Sequence, residues 1–397
     1  MARLLDLKVA WRSWALTGAL SLLFAVFLKP DIQETLGFFY LPALFSQHTW
    51  SVAVVACASI PFFLYMKRVG LDLFGGLAAA LFFIVFLSTM YNKGNLSSWA
   101  VELSPCLASA LLVAALGKDH SRNLLQGMLI ASSVYLICNL AFIFRELESL
   151  TFGALEFLFF GYRNATFHIA IPAFVCSILL DAMDGKKCTL RSIVIYALAL
   201  FELLVGYSAT SAFAFVVLGV LALLVQFNKL RPFINGVSVG VAYGLMFFGV
   251  VIFRLQDKFG FLIEMMGRSL TFTGRTFIWD EAIGLINGSA AITGYGKSYS
   301  LSVNGAAYYA HNDILHILMM AGVVGLATLV VLIVLADKRL YVCRRSLPTA
   351  YMSAALLSLA LIGLFESVLC PAGAFLLAFA YYGIGKADEV RSMAPQV

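Results

Sequence analysis

The chain alternates long apolar runs with short polar breaks over almost its whole length, and the runs read as membrane-crossing helices although several are shorter than a bilayer strictly needs. Taking runs of roughly 17 to 25 apolar residues as candidate spans, the sequence gives about twelve. They lie near 13–28, 49–66, 71–90, 99–117, 124–144, 166–181, 192–208, 209–227, 233–253, 313–335, 350–366 and 372–384. One stretch breaks the pattern. Residues 254–311 form a long polar segment between the ninth and tenth runs, and two earlier segments, 29–48 and 145–167, are also longer than turns. The pattern predicts an all-α polytopic membrane protein, a single integral-membrane domain over 1–397, with 254–311 as one large loop on the outer face carrying short interfacial helices.

Composition agrees: 62% of the 397 residues are hydrophobic and 12% charged, far from the roughly 25% charged residues of soluble domains. The formal charge of +6 is spread over short loops, which argues against a nucleic-acid partner. No small-x-small cleavage site follows the first apolar run, which predicts a retained helix rather than a signal peptide. The seven cysteines are scattered without Cys-x-x-Cys spacing, and Cys57, Cys106, Cys138 and Cys176 lie in or at the ends of apolar runs, where they read as small hydrophobes.

With twelve spans and a cytoplasmic N-terminus, two thirds of the 27 Lys and Arg residues fall on the cytoplasmic side, which predicts that both termini are cytoplasmic. Five of the exceptions, Arg254, Lys258, Arg268, Arg275 and Lys297, gather in the 254–311 loop. Within the spans ionisable residues are scarce, Glu202 being the clearest, with Glu102 and Glu366 nearer outer ends. Such residues are functional candidates by default.

Two clusters in the loop carry chemistry. In the first, Thr273 can cap a helix whose opening turn holds Arg275 and Thr276, with Phe277, Trp279, Ile283 and Ile286 as apolar surface and Asn287-Gly288 as a stop. This predicts an interfacial helix lying on the membrane, with Arg275 placed either to bind a phosphate or to reach the headgroups. In the second, His311-Asn312-Asp313 caps the tenth run and puts an imidazole at the mouth of the bundle, where it can act as a base. Gly322 and Gly325 below it predict a close-packed helix face. A third candidate, Gly161-Tyr162-Arg163-Asn164 with His168, precedes the sixth run. No Asp-x-Asp nucleotide-metal motif and no His-x-x-x-His pair occurs on the predicted outer face, so the expected catalysis uses no metal and no cofactor.

The order Thr273-Gly274-Arg275-Thr276, Ile278-Trp279, Gly294-Tyr295-Gly296, His311-Asn312, Leu315 and Gly322-x-x-Gly325 resembles the O-antigen ligase and polymerase family, over roughly residues 160–335. The form of its motifs is closer to the exopolysaccharide and capsule polymerases. One departure is the turn Tyr207-Ser208-Ala209-Thr210-Ser211, where the family often has Ser-Arg. The resemblance implies a GT-C-like glycosyltransferase in the bacterial cytoplasmic (inner) membrane, moving a glycan from undecaprenyl diphosphate to an acceptor sugar. It assigns the diphosphate to Arg275 and Arg163 and the role of base to His311, with Asn312, Thr276, Trp279 and His168 in support. Implied partners are the lipid-linked glycan donor, a glycan or lipid A-core acceptor, membrane lipids, and a chain-length regulator and flippase. A flippase of lipid-linked oligosaccharide is the alternative reading of the same basic outer segment.

Overall fold

The structure, a computed structural model, describes residues 2–30, 47–146, 157–255, 258, 274–286 and 290–385. All twelve predicted runs are helical: α1 (Ala2–Leu28), α2 (Gln47–Arg68), α3 (Leu73–Tyr91), α4 (Leu96–Leu116), α5 (Ser121–Glu146), α6 (Phe167–Met183), α7 (Leu190–Val205), α8 (Ala209–Leu224), α9 (Gly236–Met246, continued by a π-helical segment Phe247–Ile252), then, after two short loop helices α10 (Arg275–Leu285) and α11 (Ala290–Thr293), α12 (Asp313–Val342), α13 (Leu347–Gly363) and α14 (Pro371–Tyr382). Two small hairpins interrupt the all-helical pattern, β1 (Phe157–Leu158) with β2 (Gly161–Tyr162), and β3 (Leu301–Val303) with β4 (Ala306–Tyr308).

Seven of these helices are long and apolar enough to cross a membrane: those containing 11–28, 50–68, 73–91, 96–116, 121–145, 163–183 and 313–342. The others run only 11 to 17 residues, so twelve full-length spans are not what length alone supports. The shortfall has a use at one place. Helix α13 stops at Gly363 and α14 starts at Pro371, and the connector between them lines a cavity through Glu366, Ser367, Leu369 and Cys370. Irregular backbone at membrane depth is tolerated where it lines a cavity.

Contacts at the helix ends define two ends of the bundle. At one, Asn92 donates to the carbonyl of Gly294 and the Asn95 N–H to Ser298. At the other, Tyr65 and Tyr382 both donate to Asp72 at 2.6 Å, Asn123 donates to Ser13, and Arg122 pairs with Asp184 at 2.7 Å. Buried Asp181 accepts from Thr189, Arg191 and Ser192 at this same end. Helix α6 is buried on nearly every face and forms the centre of the larger core with α1, α4, α5, α13 and α14, as an all-round apolar helix must.

A second core holds the loop. It joins Phe82 and Val85 of α3 and Leu315, Met319 and Met320 of α12 to Ile278, Trp279 and Ala282 of α10 and to Tyr299 and Leu301. Helix α10 is thus anchored to the protein by Trp279, which is fully buried. Phe277 and Ile283 are the exposed ones. The expected cap Thr273 and stop Asn287-Gly288 lie outside the described residues.

Helix α12 is broken where the sequence predicted a close-packed face. Gly322 has φ 63° and ψ −166°, a conformation essentially confined to glycine. In a continuous helix the carbonyls of Met319 and Met320 would accept from residues four further on. Here they accept instead from the N–H groups of Tyr295 at 2.6 Å and Gly296 at 3.1 Å. Gly294-Tyr295-Gly296 is therefore the plug of a broken helix, and a Cβ on Gly322 would collide with the carbonyl of Ile292. We expect Gly322→Ala to lower stability by about 1–3 kcal/mol, read as thermal unfolding in detergent. Gly240→Ala, on an exposed face of α9 with open space around it, should be neutral. Equal melting temperatures for the two variants would contradict the break.

Candidate functional site

Glu366 sits in the α13–α14 connector, and three distant stretches of chain bond to it. Arg275 donates through Nη2 to Oε1, Asn164 donates to the same oxygen at 2.9 Å, and His311 Nδ1 lies 3.0 Å from Oε2. The carboxylate is only 14% exposed, so it needs these partners. Burial pushes its carboxyl up, but the His311 bond, the Arg275 charge and the Asn164 amide outweigh that and hold it below the usual carboxylate range.

Each partner is fixed by its own local structure. Arg275 opens α10 just after Gly274, whose φ of 86° turns the chain into the helix. One turn on, Trp279 donates its indole N–H to the His311 carbonyl at 3.3 Å, so the same helix holds both the arginine and the histidine backbone. Arg254 fastens α10 from the other side, donating to the Thr276 carbonyl and to Asp280 with its guanidinium 5.3 Å from the Trp279 ring. His311 itself has φ 46°, a left-handed conformation that costs energy in any residue with a Cβ. Next to it, Asn312 caps α12 by accepting from the Leu315 N–H at 3.0 Å, and its amide donates to the Leu364 carbonyl at 3.1 Å. Asp313 accepts from the Val368 N–H. The predicted His-Asn-Asp cap is thus stitched to the connector on both sides of Glu366.

Asn164 lies in a 3-10 turn (Arg163–Thr166) leading into α6, and its side-chain oxygen accepts from Ser208 at 3.1 Å. That contact gives the Tyr207-Ser208 turn a place in the site. Arg163, next to Asn164 in the chain, has its guanidinium 5.9 Å from the Tyr162 ring. His168 packs edge-on against Phe167 and Phe160.

These groups border a cavity of about 460 Å³ at the Asn92–Asn95 end of the bundle. Asn164, His168, His311 and Glu366 line one part of it; Glu102, Lys297, Tyr309 and His316 line another. Arg275, Thr276, Trp279 and Arg163 are not among the residues that line it. A carboxylate only accepts hydrogen bonds, so in the neutral imidazole the proton sits on Nδ1 and Nε2 keeps a lone pair. His311 is 31% exposed, which keeps that nitrogen within reach of a hydroxyl.

Two features of the cavity went unread in the sequence. Lys297, counted there only as a misplaced charge, is 6% exposed and pairs with Glu102 at 2.7 Å, its ammonium 5.1 Å from the Tyr309 ring. Tyr299 accepts from the Ala310 N–H and shares a hydrogen bond of 2.6 Å with His316 Nδ1, and burial pushes its hydroxyl up. Glu102 and Glu366 were each visible as ionisable residues near span ends, and that was the signal available; their partners lie too far along the chain to infer. Among the described residues, no three His, Cys, Asp or Glu side chains gather closely enough to hold a metal ion.

Comparison with curated proteins and with solved structures gives no match. A family model does match. It is that of the O-antigen ligase, and it covers residues 194–330, from α7 to the middle of α12, including Arg275, His311 and the Gly322 break while leaving Asn164 and Glu366 outside. Over this segment, which carries both loop motifs, the chain is similar to the O-antigen ligase family.

Proposed function

We propose that the protein is a metal-independent glycosyltransferase that moves a glycan from undecaprenyl diphosphate to an acceptor sugar at the outer face of the bacterial cytoplasmic membrane. The family supports a membrane enzyme with a lipid-linked glycan donor and a glycan acceptor. The observation that carries the reading is the His311–Glu366 pair at the wall of the cavity. Nε2 of His311 takes the proton of the acceptor hydroxyl as its oxygen bonds to the anomeric carbon, and the bond from that carbon to the diphosphate oxygen breaks. Glu366 stabilises the imidazolium that forms, by the same logic that orients a histidine in a hydrolase triad. The leaving prenyl diphosphate carries the negative charge, and Arg275 and Arg163 neutralise it. Arg275 meets Glu366 through Nη2, which leaves its other N–H groups to the phosphate oxygens. Asn312 and Trp279 hold His311 in place, Thr276 ties α10 to Arg254, and His168 closes the cavity wall. The excess of basic residues in segments of the opposite end supports an outer placement of the site, with both termini cytoplasmic.

His311→Ala should lower transfer by about two to four powers of ten, the scale of a positioned base, measured with purified protein and a lipid-linked repeat unit. Wild-type turnover would remove the histidine from the mechanism. Arg275→Lys should also be impaired, because an ammonium cannot offer the two-pronged contact; full activity there would confine Arg275 to a structural role. Running the assay with and without a lipid A-core acceptor distinguishes a polymer ladder from a single transfer.

The depressed carboxyl of Glu366 sets a sign for pH. The stabilisation is present above the ordinary glutamate value and is lost as pH falls through the lower folded value. The melting temperature of the wild type should therefore exceed that of Glu366→Gln near neutrality, and the gap should close below about pH 4. A gap that stays constant down to pH 3 would contradict the ionised cluster.

A further inference from the structure

The cavity that holds His311 and Glu366 does not end at Lys297. A second depression of about 350 Å³ begins there, lined by Asn95, Ser98, Ser298, Ser300, Tyr308 and Tyr309. Lys297 and Tyr309 line both spaces, so they form the partition between them. The partition is built. Ser98, on the groove side, donates to Glu102 at 2.8 Å, and Glu102 holds the ammonium of Lys297 at 2.7 Å. The backbone N–H of Lys297 in turn donates to Thr89 of α3 at 2.9 Å. One wall of the groove is the β3–β4 hairpin, which supplies Tyr308, and the other is the start of α4.

We propose that this outer groove is an oligosaccharide subsite, holding sugars beyond the one that reacts, with Lys297, Glu102 and Tyr309 marking the boundary between reacting and distal sugars. The proposal rests on the transferase reading of the inner cavity and adds a binding surface to it. Three observations point to a sugar chain. Besides Lys297 and Ala307, the lining consists of serine hydroxyls, an amide and three phenol rings, which is the chemistry that meets a polyhydroxylated molecule: short donors and acceptors for its hydroxyls and flat apolar faces for its C–H surfaces. The charge of Lys297 is already matched by Glu102, so the pair offers a donor and an acceptor side by side rather than a net attraction for an anion. Tyr309 remains 51% exposed although the ammonium lies against its ring, so much of the ring is open to a ligand. The groove is lined by no Leu, Ile, Val, Met or Phe side chain, so it lacks the aliphatic surface a prenyl chain needs, and it meets the cavity at Lys297 and Tyr309, which line that cavity together with His311. The sugars it holds belong to the acceptor chain or to the donor glycan; the chemistry is the same.

The test uses the full chain in detergent and, as the probe, the oligosaccharide released by mild acid from the lipid-linked pool of the bacterium that makes the protein. Binding is read by saturation-transfer NMR, without turnover. Ser300→Trp, which fills the groove, and Tyr309→Ala, which removes the ring, should each weaken binding about tenfold, whereas Tyr309→Phe should stay within threefold of wild type. In the transfer assay the same two variants should raise KM about tenfold for one substrate. A rise for the acceptor assigns the groove to the acceptor chain, and a rise for the lipid-linked donor assigns it to the donor's distal sugars. The proposal is overturned if Ser300→Trp and Tyr309→Ala, folded with wild-type melting temperatures, bind the oligosaccharide and turn over both substrates as the wild type does. Should Ser300→Trp not fold, the contrast between Tyr309→Ala and Tyr309→Phe decides alone. An inactive wild type that still binds the oligosaccharide in a Tyr309-dependent way would overturn the transferase reading and leave the groove standing.

Discussion

A buried carboxylate has to be paired, and in this protein the pairing of Glu366 shapes the site. Its three partners come from positions 164, 275 and 311, so the turn before α6, the first loop helix and the mouth of α12 must all arrive at the connector between α13 and α14. The helices on either side of that connector are cut short to leave it room. Removing any partner exposes the others to an uncompensated charge, so the geometry around His311 is held by an electrostatic demand as well as by packing.

The second constraint is backbone hydrogen bonding in a helix that is not continuous. Broken at Gly322, α12 presents the carbonyls of Met319 and Met320 to Tyr295 and Gly296, and this docks the segment that goes on to Lys297 and Tyr299. From there the chain passes through the β3–β4 hairpin and returns to His311. The break thus fixes where the loop starts its path, and the Glu366 cluster fixes where it ends. The stretch is thus held at both ends, and Lys297, Tyr309 and His311 on it line the cavity. That is the kind of support a positioned base requires, since small displacements of reacting groups are expensive in rate.

Much of this was legible in the sequence. Every apolar run became a helix, because a span of that composition has no other way to satisfy its backbone in lipid. Arg275, His311 and Asn312 were legible as motifs, and Asn312 caps α12 as its position before Asp313 predicted. What could not be read was pairing across long separations. Glu366 stood out as a charge near a span end, yet nothing local connects it to His311 or Asn164. Lys297 and Glu102 looked like two anomalies and are one ion pair. Gly322 and Gly325 matched the spacing of a close-packed face, and Gly322 does lie against the backbone of Ile292, but only its left-handed backbone shows that it also breaks the helix. The amphipathic look of α10 suggested a membrane surface, and it did not tell which face, that with Ile278, Trp279 and Ala282, turns into the protein.

The central claim is that Arg275 and Glu366 form one unit that sets the position of His311. A double-mutant cycle on thermal stability, with Arg275→Gln, Glu366→Gln and the pair, tests it most directly. The account predicts a coupling on the order of 1 kcal/mol or more, as found for groups in direct contact, and strict additivity within about 0.3–0.5 kcal/mol would contradict it.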